Sequence, residues 1–126
     1  VSTVLAEKGA EILFSPHASA GETSKEKRDR FLRYMPARAY DNTVYLAVCN
    51  QIGDNGRGIG FGGVAFICNA RGEVVSEAQT QDQDEMVIAD LRGADLYTDR
   101  RTPGPFFRHF RRPEMYRLWA EEIGNE

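Results

Sequence analysis

A chain of 126 residues, 41% hydrophobic and 28% charged, is sized and composed for one small domain with a modest core. Its net charge of −3 argues against a partner role in which the whole chain coats nucleic acid or an anionic membrane. No apolar run approaches the roughly 20 residues that a bilayer-crossing helix needs, so no membrane partner is expected. The two cysteines, Cys49 and Cys68, each sit inside an apolar run, which fits free thiols in a reducing, cytoplasmic setting. The first residues show no starting Met, no basic leader and no long apolar stretch. They read as a chain that enters inside a helix, with no signal peptide legible.

In chain order, Val1 to Lys8 reads as the end of a helix, with Val1, Val4, Leu5 and Lys8 on one face and Gly9 as the stop. Glu11 to Ser15 is a short apolar run closed by Pro16, hence a predicted buried strand. His17 to Glu22, which includes Gly21, is a loop. Thr23 and Glu26 have capping-box spacing and open a charged helix that runs to Asn42. Phe31, Leu32, Met35 and Ala39 form its apolar stripe, and Pro36, lacking a backbone donor, is expected to kink it.

Thr43 to Cys49 predicts a strand, and Gly53 to Gly56 a turn. Gly63 to Cys68 and Glu73 to Ala78 flank Asn69-Ala70-Arg71-Gly72 and read as a hairpin. Gln79 to Asp84 is a polar connection, and Glu85 to Leu91 predicts another buried strand. Arg92 to Pro105 is a short helical turn followed by a loop. Pro113 to Ile123 can form a terminal amphipathic helix. Without repeats or low-complexity segments, this order supports a mixed α/β domain.

Residues able to carry chemistry are few. Both cysteines have apolar strand neighbours and read as inert core thiols. Lys8, Lys25 and Lys27 lie in charged helical contexts, none of them at a strand end where an ammonium could support an oxyanion. His17 is placed differently, on the loop after a buried strand, where α/β folds bind ligands.

The glycines from Gly56 to Gly63 alternate like a phosphate loop, but a strand follows where that loop needs a helix N-terminus. No nucleotide cofactor is expected. Asp82, Asp84 and Glu85 lack the ligand ladder of a calcium loop, so no metal is expected either. Arg100, Arg101, Arg108, Arg111 and Arg112, interleaved with Phe106, Phe107 and Phe110, form the one basic-aromatic patch. A patch of this kind can stack single-stranded bases.

Four segments in order carry a resemblance. They are Ala37-Arg38-Ala39-Tyr40-Asp41-Asn42, Phe61-Gly62-Gly63-Val64-Ala65-Phe66, Ala70-Arg71-Gly72-Glu73-Val74-Val75 and Arg111-Arg112-Pro113-Glu114-Met115-Tyr116. Together they resemble the carbon–nitrogen hydrolases of the nitrilase superfamily, with Asp41 where that family more often has Glu. The resemblance implies the C-terminal half of the domain over residues 1–126, with 110–126 as a tail. The implied fold is a partial four-layer α-β-β-α sandwich.

It also implies a cofactor-free enzyme acting on a small-molecule amide or nitrile, the amide being favoured, through a Glu, Lys and Cys triad and a thioester. Neither cysteine here has the context of the family nucleophile, so the triad is expected upstream of Val1 and the fragment alone inactive. His17, Ala18 and Ser19 are the implied pocket residues. Arg38, Asp41, Asn42, Arg111 and Arg112 are implied structural support, with Arg38 near the active-site loops and the arginine-rich patch a packed tail. A homodimer or larger assembly through the helices before Gly9 and from Ser24 to Asn42 is implied as well. The rival reading is a non-catalytic binding or assembly module using the arginine-aromatic tail.

Overall fold

A computed structural model describes residues 1–80, 83–102, 107–115 and 117. Its centre is a four-stranded sheet in the order β1 (Ile12–His17), β2 (Tyr45–Asn50), β5 (Val64–Cys68) and β6 (Val74–Glu77). β1 and β2 are parallel, and the remaining pairs are antiparallel. A parallel pair needs a crossover, supplied here by α2 (Ser24–Leu32) and α3 (Met35–Asn42). A short ribbon of β3 (Gly53–Asp54) and β4 (Gly60–Phe61) follows β2.

The pleat decides which residues form the core. Leu13, Leu46, Val48, Val64, Phe66 and Cys68 alternate onto one face, where they meet Phe31, Met35 and Ala39 of α2–α3 and Ala6 of α1 (Ser2–Glu7). Among the described residues, the opposite face is covered only at one end. There Tyr45 and Ala70 pack with Leu96 of α4 (Gly93–Arg101), and the Tyr45 hydroxyl donates to the Arg92 carbonyl at 2.8 Å. Elsewhere the described residues leave that face uncovered, with Phe14 74% exposed.

Several expectations need correction. The charged helix is not one kinked rod: α2 ends at Leu32, and α3 starts afresh with Pro36 in its first turn. A missing N–H costs nothing there, because the first-turn donors have no intrahelical partner anyway. β1 is not closed by Pro16 but continues to His17. The Glu11 and His17 carbonyls both accept from β2-side amides, so the intervening even-numbered residues turn their polar groups outward, and Pro16 sits on the sheet edge. Gly53–Gly56 is the start of the ribbon rather than a simple turn.

Glu85–Leu91 forms no strand. Val87, Ala89 and Leu91 are half-buried, while Met86 and Ile88 are 81% and 73% exposed. The alternation of an extended segment is present without a ladder partner among the described residues. Cys49, expected in the core, is exposed on the open face. The predicted terminal helix is helical at 113–115 and 117, while Asp82, Phe106, Tyr116 and residues 118–126 lie outside the described residues.

Candidate functional site

β1 and β2 run in the same direction and end in register, His17 opposite Asn50, so both release their chains at one edge of the sheet. The loop after β1 is held there from two sides. From the sheet, the buried Asn50 side chain grips the backbone of Ser19: its Oδ1 accepts the Ser19 N–H at 2.8 Å, and its Nδ2 donates to the Ser19 carbonyl at 3.0 Å. The same Nδ2 donates to the Gly62 carbonyl at 2.8 Å, tying the loop to the entry of β5. A Cβ at Gly62 would lie 2.6 Å from the Glu22 carbonyl oxygen, so only glycine permits this approach.

From the helix side, Lys27 and Arg30 project off α2 into the loop. Lys27 is fully buried, and its Nζ donates to Ser19 Oγ at 3.1 Å and to the Ala20 carbonyl at 3.2 Å. It also pairs with the Glu22 carboxylate at 2.9 Å. Arg30 grips the same carboxylate through Nε and NH2 at 2.8–3.0 Å and reaches Ser19 Oγ at 3.1 Å. Hydrogen bonding from Arg30, then from Lys27, holds the Glu22 carboxyl below the ordinary carboxylate range. The capping box of Thr23 and Glu26 fixes where α2 begins, and so where Lys27 and Arg30 point.

Of the three residues expected at the pocket, Ser19 carries this network and Ala18 is exposed beside it. His17 is half-buried and turned toward the helices: its ring stacks on Phe31 at 4.8 Å, and its Nε2 lies 3.0 Å from Ser15 Oγ. Lys27 sits on α2, fully buried and paired with Glu22, and is not an ammonium free to support an oxyanion. Read as a surface charge on a polar helix, it lies instead under the loop that follows β1. The sequence does not single out Asn50, Arg30 and Glu22, and it shows Lys27 only as a charge on a polar helix. The signal that could have found Asn50 is a polar residue closing an apolar strand, and for Lys27 its position one turn before Phe31 on the buried stripe.

The expected support residues lie at the other end of the sheet. Arg111 donates to Asn42 Oδ1 at 2.8 Å, to the Asp41 carbonyl at 3.1 Å and to Glu7 at 2.8 Å. Asn42 Nδ2 in turn donates to the Arg38 carbonyl at 2.8 Å. Asp41 and Arg38 thus enter through backbone oxygens, and Arg112 stands apart, paired with Glu114 at 3.0 Å. These groups adjoin the start of β2, whereas Ser19 adjoins its end, roughly 15–20 Å away at the usual rise along a strand.

The arginine-aromatic patch is largely spent within the chain. Arg108 and Arg111 hold Glu7, Arg100 donates to the Thr43 and Ala10 carbonyls, and Phe107 packs on Tyr40 at 5.5 Å. Among the described residues no group of three His, Cys, Asp or Glu side chains is placed to hold a metal, and no helix is long and apolar enough to cross a membrane.

A mixed sheet with helices on one face and a built loop at its parallel-strand end is the geometry of one half of a nitrilase-type sandwich. The sequence profile of the carbon-nitrogen hydrolase family matches residues 1–101, and the chain belongs to that family. Its relatives include an N-carbamoylputrescine amidase of Arabidopsis thaliana, 34% identical over 128 residues that cover 94% of this chain and 42% of the relative. An omega-amidase, YafV, of Escherichia coli K12 is 31% identical, covering 68% of this chain and 31% of its own length.

Among solved structures, a carbon-nitrogen hydrolase from Helicobacter pylori G27 superposes with a TM-score of 0.74 at 27% identity, over 94% of this chain and 44% of that one. An amidase from a Nesterenkonia species gives 0.63 at 25% identity, over 90% and 36%. The chain spans less than half the length of the relatives it matches.

Proposed function

We propose that this chain is the C-terminal half, residues 1–126 with a tail from 110, of an enzyme that cleaves a non-peptide carbon–nitrogen bond in a small amide, carbamoyl or nitrile substrate. In this reading a Cys thiolate supplied upstream attacks the carbonyl or nitrile carbon, ammonia or an amine leaves, and water releases the acyl group from the thioester. The upstream part also supplies a Glu as base and a Lys as electrostatic support. The amidase names of the relatives favour amides.

The observation that carries the reading is the open sheet face opposite α1–α3. It presents Phe14 and Cys49, with Met86 and Ile88 of the neighbouring extended segment also exposed. Apolar side chains left exposed on a sheet face call for a covering layer, and a second sheet is what a four-layer sandwich places there. Neither thiol of the chain suits the nucleophile's role: Cys68 is buried and pushed up to about 11, and Cys49 belongs to the face to be covered. His17, Ala18 and Ser19 line the substrate pocket, while Arg38, Asp41, Asn42, Arg111 and Arg112 support the tail side of the domain.

The test is complementation. The full reading frame, or this chain mixed with the separately made upstream half, should release ammonia from simple amides, and the 126 residues alone should not. Ammonia release by this chain alone, abolished by Cys49→Ala or Cys68→Ala, would overturn the reading. A bulky side chain at Ser19 or Ala18 of the full enzyme should change preference across a panel of amides more than it changes the melting temperature. Unchanged kinetics would remove the loop from the pocket.

The same reading makes the parent a cytoplasmic homodimer joined through the exposed sides of α1 and α2–α3. A two-fold interface feels one reversed charge twice. Arg33 is the proper probe because it is exposed, whereas Arg30 is occupied inside the loop network. An unchanged mass by light scattering for Arg33→Glu would count against this face.

A further inference from the structure

We propose that Asn55 is a self-modifying site: the fold sets its side-chain amide to close on the Gly56 nitrogen, so the native chain converts Asn55 to aspartate and isoaspartate without an enzyme. Asn55 and Gly56 lie in the exposed turn of the β3–β4 ribbon, where the Asn55 N–H donates to the Ile59 carbonyl at 3.1 Å. The reaction needs a nucleophilic amide nitrogen, a polarised carbonyl and room for the succinimide ring. A peptide nitrogen is a poor nucleophile until it loses its proton, and a carboxylate within hydrogen-bond reach can take that proton. Asp54 Oδ1 accepts from the Gly56 N–H at 2.6 Å, so base and nucleophile are already joined.

The electrophile is prepared by the same turn. Asn55 Oδ1 accepts from the Arg57 N–H at 2.9 Å and from the Ile59 N–H at 3.2 Å. Backbone donors fixed on the oxygen that gains negative charge as its carbon is attacked lower the barrier, as an oxyanion hole does. Gly56 has a φ of 76°, and a Cβ built on it would meet nothing within 4 Å, so no neighbour obstructs ring closure. Asp54 takes the Gly56 proton, the nitrogen's electron pair bonds to Asn55 Cγ, the Cγ–Nδ2 bond breaks, and Nδ2 leaves with that proton as ammonia. Water then opens the succinimide at either of its carbonyls, giving aspartate or isoaspartate.

Asn69 is a matched contrast within the same chain. Its Oδ1 also accepts from backbone N–H groups, of Arg71 at 2.9 Å and of Glu73 at 3.0 Å. The other parts are missing there. The next residue is the buried Ala70, Asn69 Nδ2 is tethered to Glu73 at 2.7 Å, and among the described residues no carboxylate accepts from the Ala70 N–H. The aspartate product keeps the contacts to Arg57 and Ile59, since a carboxylate accepts as the amide oxygen does. The isoaspartate product adds a methylene to the backbone and disturbs the pairing of Gly53 with Phe61 and of Asp54 with Gly60. The ribbon adjoins the loop after β1, whose Gly21 N–H donates to the Gly60 carbonyl at 3.2 Å, so that contact is the first the modification should loosen.

The full-length protein, native and unfolded in guanidinium chloride, is incubated at neutral pH. Asn55 and Asn69 are followed by peptide mapping, with isoaspartate methyltransferase labelling to mark the isoaspartate. The native protein should convert Asn55 about a hundredfold faster than the unfolded one, the lower end of what a positioned base supplies, and Asn69 should stay an amide. Asp54→Asn keeps an acceptor for the Gly56 N–H but is no base, so it should bring the native rate down to the unfolded one at an unchanged unfolding midpoint. The ammonia released is stoichiometric with the chain, needs no added amide and survives Cys49→Ala and Cys68→Ala, which separates it from substrate hydrolysis. Conversion of Asn55 no faster in the native protein than in the unfolded one would overturn the inference. So would equal conversion of Asn55 and Asn69, or an Asp54→Asn rate matching wild type.

Discussion

The two faces of the central sheet are built from the same kinds of residue and have opposite environments. On the helix side Phe31 is fully buried, while on the other side Phe14 is 74% exposed. On the single strand β2, Val48 is 3% exposed and its neighbour Cys49 is open to solvent. Side-chain type does not separate the two faces. What separates them is which partner this chain supplies: α1–α3 on one side, and α4 over one end of the other. An apolar run such as Ile12-Leu13-Phe14 is the pattern of a strand covered on both faces, of which this chain covers one.

The largest effect that could break this contrast is a pair of truncations. Phe31→Ala should cost about 3–5 kcal/mol of unfolding free energy in this chain, as deletion of a large core side chain does. Phe14→Ala should stay within about 0.5 kcal/mol, as exposed positions do. Urea midpoints at unchanged slope would measure both. In the full-length protein Phe14→Ala should approach the cost of Phe31→Ala. A silent Phe14→Ala there would mean that the second face stays open.

Next in size is Asn50→Ala, expected to cost about 1–3 kcal/mol because the Ser19 amide, the Ser19 carbonyl and the Gly62 carbonyl all lose their partner. Hydrogen exchange at the Ser19 amide should rise with it. Asn50→Asp keeps an acceptor for that amide and loses both donors, so it should protect the Ser19 N–H and still destabilise. If both variants unfold at the wild-type urea concentration, the loop is held by Lys27 and Arg30 alone.

A smaller effect comes from acid. Glu22, held down by Arg30 and Lys27, and Glu7, held down chiefly by Arg108, both bind protons less tightly when folded than when unfolded. Their contribution is therefore present above the unfolded carboxylate range and is lost as pH falls through the lower folded values. The urea midpoint should decline through that acid window, and Glu22→Gln with Glu7→Gln should flatten the decline. An equally steep decline in the double variant would place the acid sensitivity elsewhere.

How much of this was legible in the sequence follows from how local each cause is. The capping box at Thr23–Glu26, the glycine stop at Gly9 and the hairpin at Asn69–Gly72 depend on neighbours a few residues away, and the chain adopts them as read. Glu85–Leu91 was misread because a strand exists only with a ladder partner, and alternation of apolar residues cannot say whether one is present. Pro16 was misread as a stop because its tolerance depends on which edge of the sheet it faces.

At the loop, the position of Ser19 followed from strand order, but its chemistry did not. Lys27 and Arg30 are eight and eleven residues further on, and only the packing of α2 under the loop brings both to one oxygen. Charged residues on a helix of low hydrophobicity look solvated until such a fold-level contact buries them.

The smallest expected effect on stability, and the most direct reading of the two faces, lies with the cysteines. At mildly alkaline pH an aromatic disulfide reagent should label Cys49 of the folded chain quickly and leave Cys68 untouched until urea unfolds it, because Cys49 is exposed and Cys68 is not. Burial pushes the Cys68 thiol up to about 11, while the unfolded thiol ionises in the ordinary range of about 8.5. Between those values the unfolded chain has lost a proton that the native chain still holds, so stability should fall as pH rises through the window.

Cys68→Ala should remove that alkaline slope, and Cys49→Ala should leave it in place. Equal labelling rates for the two thiols would show that the helix-covered face opens as readily as the bare one. In the full-length protein, slow labelling of Cys49 would show the bare face covered there.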